Sequence, residues 1–328
     1  MQVECIAAET GLEALVPEWV ELWRRAPDAS PFQSPAWLLA WWRHFGTGAC
    51  RILAARQNSG LVGLLPLYEL DEPQRRKLLP IGIGLSDYIG ALLDPSTLDA
   101  AGMLLGAIRE VPEWQECHLP DLPPDAALAV APGPAGVFEE VGRTVPCPVM
   151  RLPANIANLD AVVPKKTLRD VRQAISRSSA AGGVTIETAD RDRLAEFMQG
   201  LFTLHERRWR SRDEAGVCAD ATVRAFHAEA ARALAAAGML RLYRLRIAGA
   251  TAAVYYGFRW RERAYAYLGG FDPSLPRLSP GAQILYHAIV AAIAEGCREF
   301  HFLRGGEAYK YAWGAVDRWN SARTFRRG

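Results

Sequence analysis

Apolar residues recur at helical spacing twice near the start of the chain, over about residues 11 to 25 and again within FQSPAWLLAWWRHFG (32–46). In the second stretch Ser34 can cap, Pro35 can begin a helix and Gly46 can end it. Trp37, Trp41 and Trp42 fall about one turn apart, the spacing of a core stripe. The pattern then changes to strands: RILAARQNSGLVGLLPLYEL (51–70) reads as a hairpin turning at Asn58-Ser59-Gly60. A third apolar run (75–93), a helix near 97 to 110 and a short strand, QECHLPDL (115–122), follow.

Residues 121 to 164 are rich in Pro, Ala and Gly and read as the connection between two halves, with VPCPVMRL able to pair with either. The second half begins with a basic helix, KKTLRDVRQAISRSSA, closed by Gly182-Gly183, and the strand VTIETA. Two more helices come next, RDRLAEFMQGLFTLHERRWRSR and ATVRAFHAEAARALAAAG. MLRLYRLRI, ATAAVYYGF and AYAYLGGF then form a three-strand meander. A helix from about 281 to 295 carries Ile284, Leu285, Ala288, Ile289, Ala292 and Ile293 on one face, and CREFHFL forms a further strand. Strand, helix and returning strand make a parallel crossover unit. Each half therefore has one order: helices, meander, helix, strand.

Length and composition narrow the class. Among 328 residues, half are apolar and 23% charged, with a net charge of +2, so a two-domain globular protein is expected and no field for nucleic acid is present. The six cysteines are scattered, without the close pairs of a zinc site, and read as free thiols of a reducing compartment. MQVECIAAETGLEAL has no basic n-region, and nowhere do eighteen uncharged apolar residues occur in a row. The expectation is a cytoplasmic protein without a transmembrane segment.

Ser279-Pro280-Gly281 raises a chemical question, because glycine in a first turn costs about 0.5 to 1 kcal/mol relative to alanine. A helix start offers unpaired N–H groups and a positive dipole end, which suits phosphate, although Ser and Pro are expected at any helix start.

The order of elements, together with LHERRW (204–209), YLGGFDP (267–273), SPGAQILYHAI (279–289), FLRGGEAYKYAW (302–313) and the FQSPAWLLAWWRHFG stretch, resembles the GNAT acyltransferases. The likeness is nearest to their CelD-like branch, linked to cellulose or exopolysaccharide synthesis, with the double-GNAT architecture of Fem-type aminoacyltransferases. The usual phosphate loop of the family has Gln or Arg, two residues, then Gly-x-Gly or Gly-x-Ala; RLSPGAQ here has a single Gly281 followed by Ala282. The resemblance implies an α/β fold with a mixed sheet in tandem GNAT-like domains: a degenerate one over 1–150 and an acyltransferase domain over 151–328. It implies an N-acyltransferase using acetyl-CoA or another acyl-CoA, acting on an amine of a small-molecule or glycan precursor of the envelope. A Fem-type enzyme using aminoacyl-tRNA, the one case that would bring in nucleic acid, and a non-catalytic binding module are the alternatives. Under it, Leu268, Gly269 and Gly270 supply an oxyanion donor beside the thioester, and Ser279, Gly281, Ala282 and Gln283 meet the pyrophosphate. The first half would shape the acceptor site. His205 is the candidate base, or else a satisfied histidine. Arg208 and Trp209 grip an anionic or sugar substrate, or else pair and pack. Tyr309 can protonate the thiolate, while His301, Arg304 and Lys310 can line the acceptor cleft, or else belong to a packing strand. Asp272 reads as a turn former, and no metal is implied.

Overall fold

The computed structural model describes residues 1–7, 9–97, 99–210 and 213–328. These fall into two units, Met1–Pro146 with Arg318–Gly328, and Cys147–Asp317, so the last segment of the chain belongs with the first.

The first unit contains β1 (Gln2–Ile6), α1 (Glu9–Ala14), α2 (Val16–Arg25), α3 (Pro35–Phe45), β2 (Cys50–Gln57), β3 (Gly60–Glu72), β4 (Arg75–Pro80), β5 (Leu92–Leu93), α4 (Ala100–Ala107), β6 (Glu116–Leu122), α5 (Ala127–Val130) and most of β7 (Phe138–Arg151). Asn58 and Ser59 turn the β2–β3 hairpin with φ of 49° and 66°, the primed geometry that matches strand twist. Trp37, Trp41 and Trp42 are buried, as their helical spacing predicts. Ser34 starts α3 without capping it through its side chain: its hydroxyl donates to Pro31 O, while Ser30 forms the capping box with Gln33. The stretch 121 to 164, expected to be a connection, instead holds the fourteen-residue β7. Pro146 and Pro148 sit within it, and its last residues pair antiparallel with β12 of the second unit, Met150 opposite Phe300.

The second unit continues with α6 (Lys165–Ala180), β8 (Val184–Thr188), α7 (Leu194–Arg210), α8 (Ala221–Ala236), β9 (Leu240–Ile247), β10 (Ala250–Trp260), β11 (Arg263–Phe271), α9 (Pro280–Ala294), β12 (Glu299–His301) and α10 (Ala308–Tyr311); β13 (Val316–Arg326) then runs into the first unit and pairs with β6. Its strand order is β7-β12-β11-β10-β9-β8. β9, β10 and β11 form the expected meander, and β12 returns parallel to β11 after α9. Asp220 caps α8 by accepting from the Thr222 and Val223 amides. Ile284, Leu285, Ile289 and Ile293 of α9 bury one face against Tyr243, Tyr255, Phe300 and Trp313, so the helical stripe read from the sequence is the core side of the crossover.

Among the described residues no helix is long and apolar enough to cross a membrane, and no group of His, Cys, Asp and Glu could hold a metal. Five of the cysteines are buried and Cys5 is exposed, and among the described residues none forms a disulfide.

Candidate active site

Parallel pairing between β11 and β12 covers only Arg263–Tyr265 against Glu299–His301. Beyond Tyr265 the strands part, while β11 stays paired with β10 as far as Phe271. A register shift at Tyr256/Gly257 leaves Tyr267 as the extra residue of a bulge, so the irregularity lies before the two glycines and not at them. Parting leaves the far side of β11 beyond Tyr265 without a strand partner.

The opening is a cleft of about 540 Å³. Its walls are β11 from Ala266 to Phe271, the loop with Leu275 and Pro276, the α9 start with Gly281, Ala282, Ile284 and Leu285, and Tyr255, Tyr309 and Trp313. These are mostly apolar surfaces, with Arg208 and Asp272 as the charged members. The Arg208 guanidinium lies 4.9 Å over the Phe271 ring. Asp272 is the turn former its sequence suggests: its carboxylate accepts from the Ser274 hydroxyl at 2.7 Å and amide at 2.9 Å, which holds it below the usual carboxylate range. Tyr309 is half-exposed; desolvation by the cleft walls, and then the Glu307 carboxylate, push its hydroxyl up to about 12, so it carries a proton throughout the neutral range.

Gly281 has a local reason. A β-carbon there would stand 2.9 Å from Cδ1 of Phe271, so glycine lets the helix start meet the ring that Arg208 covers. Phosphate-binding capacity at this start is small. Pro280 has no N–H, and the Ala282 and Gln283 amides donate to the Ser279 carbonyl at 3.0 and 3.2 Å. Among the described residues that leaves the Gly281 amide unengaged. Ser279 sits in the left-handed region (φ 45°), and its hydroxyl goes to Pro276 O.

Leu268, Gly269, Gly270, Ser279, Gly281, Ala282, Arg208 and Tyr309 are thus brought together on one cleft. The other expected site residues are not among its lining. Gln283 is buried, and its amide nitrogen donates to Ser178 Oγ and Leu278 O. His301 is buried on β12, 3.1 Å from Glu299, with its ring on Tyr265. Lys310 is buried too: Nζ donates to the carbonyls of Leu303, Arg304 and Gly305 at 3.1, 2.6 and 3.0 Å and pairs with Glu307 at 2.9 Å, which makes it the internal clamp of a loop with positive φ at Leu303 and Gly305. Arg304 contributes its carbonyl to that clamp.

His205 and Trp209 pair with each other one turn apart on α7. Trp209 Nε1 donates 2.9 Å to His205 Nε2, so the neutral imidazole carries its proton on Nδ1. Burial and the neighbouring Arg208 push His205 down to about 4. Nε2 is thus occupied by the indole, and His205 lies outside the lining of the cleft. Phe271, Trp313 and Tyr255 complete the cleft and were not singled out from the sequence. The signal that could have found the first two is their place in YLGGFDP and FLRGGEAYKYAW, beside residues that were.

The first unit has a comparable opening. β4 pairs parallel with β6 only at Lys77 and Leu78, but the loop after it folds inward. Ser86, Tyr88 and Ile89 are buried, Trp37 Nε1 donates to Ser86 Oγ at 2.9 Å, and about 10 Å³ remains.

Residues 165–311 match a family described as acetyltransferase (GNAT) domain. A search of curated proteins gives no match. Among solved structures, FemX is similar with a TM-score of 0.71 at 13% identity, covering 98% of this chain and 97% of that one. The C-terminal domain of a putative lysylphosphatidylglycerol synthetase from Agrobacterium fabrum gives 0.61 at 13% identity over 97% and 93%. A tandem GNAT protein from the clavulanic acid biosynthesis pathway gives 0.51 at 13% identity over 98% of each chain. At these identities the likeness is one of fold: a mixed α/β tandem GNAT architecture. The domain match makes residues 165–311 an N-acyltransferase domain of the GNAT type.

Proposed function

We propose that the second unit transfers an acyl group from a pantetheine thioester, with acyl-CoA as the soluble donor, to an amine of a cell-envelope or exopolysaccharide precursor in the cytoplasm. The observation that carries this reading is the mostly apolar cleft of about 540 Å³ opened where β11 leaves β12, beside a strand edge that β12 no longer pairs. The acceptor class rests on the likeness of the sequence to the CelD-like branch. In this reading the amine attacks the thioester carbonyl, amides of Leu268 to Gly270 receive the developing oxyanion, and Tyr309 gives the departing sulfur its proton. The first unit, with its opening filled, is the degenerate partner and takes no donor.

An aminoacyl-tRNA donor is the second reading, favoured by the single unengaged amide at the α9 start. Calorimetric titration with acetyl-CoA, and with Ala266→Phe, which fills the cleft, separates the two. Saturable heat lost in the variant, with an unchanged melting point, is the expected result. No heat from acetyl-CoA, with binding of aminoacyl-tRNA instead, rejects the thioester donor.

A further inference from the structure

Helix α6 is not among the walls of the cleft, yet it is fastened to them at both ends. Thr167 Oγ1 in its first turn donates 2.6 Å to the carbonyl of Ala312, the neighbour of Trp313. In its last turn Ser178 Oγ receives the Gln283 amide of α9 at 2.7 Å, and Arg177 donates 2.8 Å to the carbonyl of Arg277 in the cleft loop. Leu168, Val171 and Ala174 are buried. The other side is basic: Lys165, Lys166, Arg169, Arg172 and Arg177 are exposed, with Asp170 the one acid. This makes a net +4 on 16 residues, where the whole chain carries +2. Lys166 and Arg169 share the single acid Asp170, and Arg177 is engaged on the Arg277 carbonyl; the remaining like charges on one helix face repel, so the surface is suited to an anionic partner.

The cleft, by contrast, offers the phosphates of a free nucleotide few groups: one cation, Arg208, laid over the Phe271 ring, a proline and one unengaged amide at the helix start, and a carboxylate, Asp272, in the wall. Apolar complementarity lies in the cleft and anionic complementarity beside it, on α6. We propose that the acyl group is delivered on the phosphopantetheine arm of a small acidic carrier protein, which docks on the basic face of α6 while the arm enters the cleft. This rests on the thioester-donor reading above. The face is one helix about 24 Å long without an aromatic side chain for base stacking, which fits an acidic protein helix better than RNA. In the transfer the amine nitrogen bonds to the acyl carbon, the C–S bond breaks, the sulfur leaves with its electron pair and takes a proton, and the amine loses one to solvent; the carrier thiol is regenerated.

The test is fluorescence anisotropy with a labelled, octanoyl-loaded acidic acyl carrier protein, alongside calorimetry with acetyl-CoA. Wild type should bind the carrier saturably at low salt. Arg169→Glu/Arg172→Glu, and independently Lys165→Glu/Lys166→Glu, should weaken that binding at least about tenfold, leaving acetyl-CoA affinity within about twofold and the melting point unchanged. No carrier binding, equal binding by both variants, or displacement of the carrier by stoichiometric uncharged tRNA would overturn the docking proposal, while retained acetyl-CoA binding keeps the thioester reading. Failure of both ligands to bind rejects the two together.

Discussion

Gly270 of β11 lies against the backbone of His205 on α7: a β-carbon at residue 270 would stand 2.8 Å from the His205 amide nitrogen and 3.0 Å from the Leu201 carbonyl. Both partners are main chain and cannot rotate away. The second glycine of the YLGGFDP stretch therefore sets how closely α7 approaches the cleft strand, in addition to any role of its own amide.

Gly270→Ala should accordingly push α7 off the sheet and destabilise the protein by about 1 to 3 kcal/mol. Gly269 is the control, because a β-carbon there has its nearest neighbour at 3.8 Å, Val254 O. Denaturant unfolding of both variants checks this; equal stability of the two would show that the α7 approach is not fixed at residue 270.

Lys310→Met keeps the length of the side chain and removes the three donors that hold the Leu303, Arg304 and Gly305 carbonyls. Leaving buried acceptors without a partner should cost about 2 to 4 kcal/mol. Unfolding free energy is the readout. A variant as stable as wild type but deficient in acceptor binding would return Lys310 to the role of substrate ligand.

Tyr309→Phe should lower turnover by about a hundredfold, with KM for the donor within about twofold and stability unchanged, since the residue is half-exposed and its hydroxyl is the proposed proton donor to the leaving sulfur. Because the hydroxyl is pushed up to about 12, no alkaline loss of rate below about pH 10 should come from it. Steady-state rates with a small amine acceptor decide: an unchanged turnover removes Tyr309 from proton transfer.

Stability should fall on acidification through the histidine range. His205 is held neutral, down to about 4, and burial brings His227 down to about 3, against about 6.5 in the unfolded chain. Above pH 6.5 neither state binds these protons and the two residues add no slope. Below it the unfolded chain takes up protons that the native state refuses, so stability declines from about pH 6.5 towards 4, by at most about 3 kcal/mol for each histidine. Melting temperatures across this window test the sign, and His205→Gln, which retains an acceptor for Trp209, should flatten the decline. A melting point that rises on acidification, or a decline no shallower in the variant, would contradict the assignment.

Much of the fold was legible along the chain because its causes are local. Paired turn residues at Asn58-Ser59 and Ala248-Gly249 place the hairpins, the periodicity of Ile284 to Ile293 gives the buried face of α9, and strand, helix and strand in succession imply the crossover from β11 to β12. The cleft strand and the glycine-bearing helix start were marked by the same local signals. What the sequence could not determine is the direction of side chains relative to elements distant in the chain. His205, Arg304 and Lys310 carry the right chemistry for a site, but the Trp209 indole fixes one, and the clamp over residues 303 to 305 uses the amine of another and the backbone of the third. The Pro-, Ala- and Gly-rich composition of 121 to 164 argued for a connection, VPCPVMRL within it could pair with either half, and only the pairing of β7 with β12 and β13 decides its place. Periodicity and turn chemistry act within a few residues and survive in the sequence; which polar atom meets which is decided by contacts across the fold, and only the tertiary structure holds those.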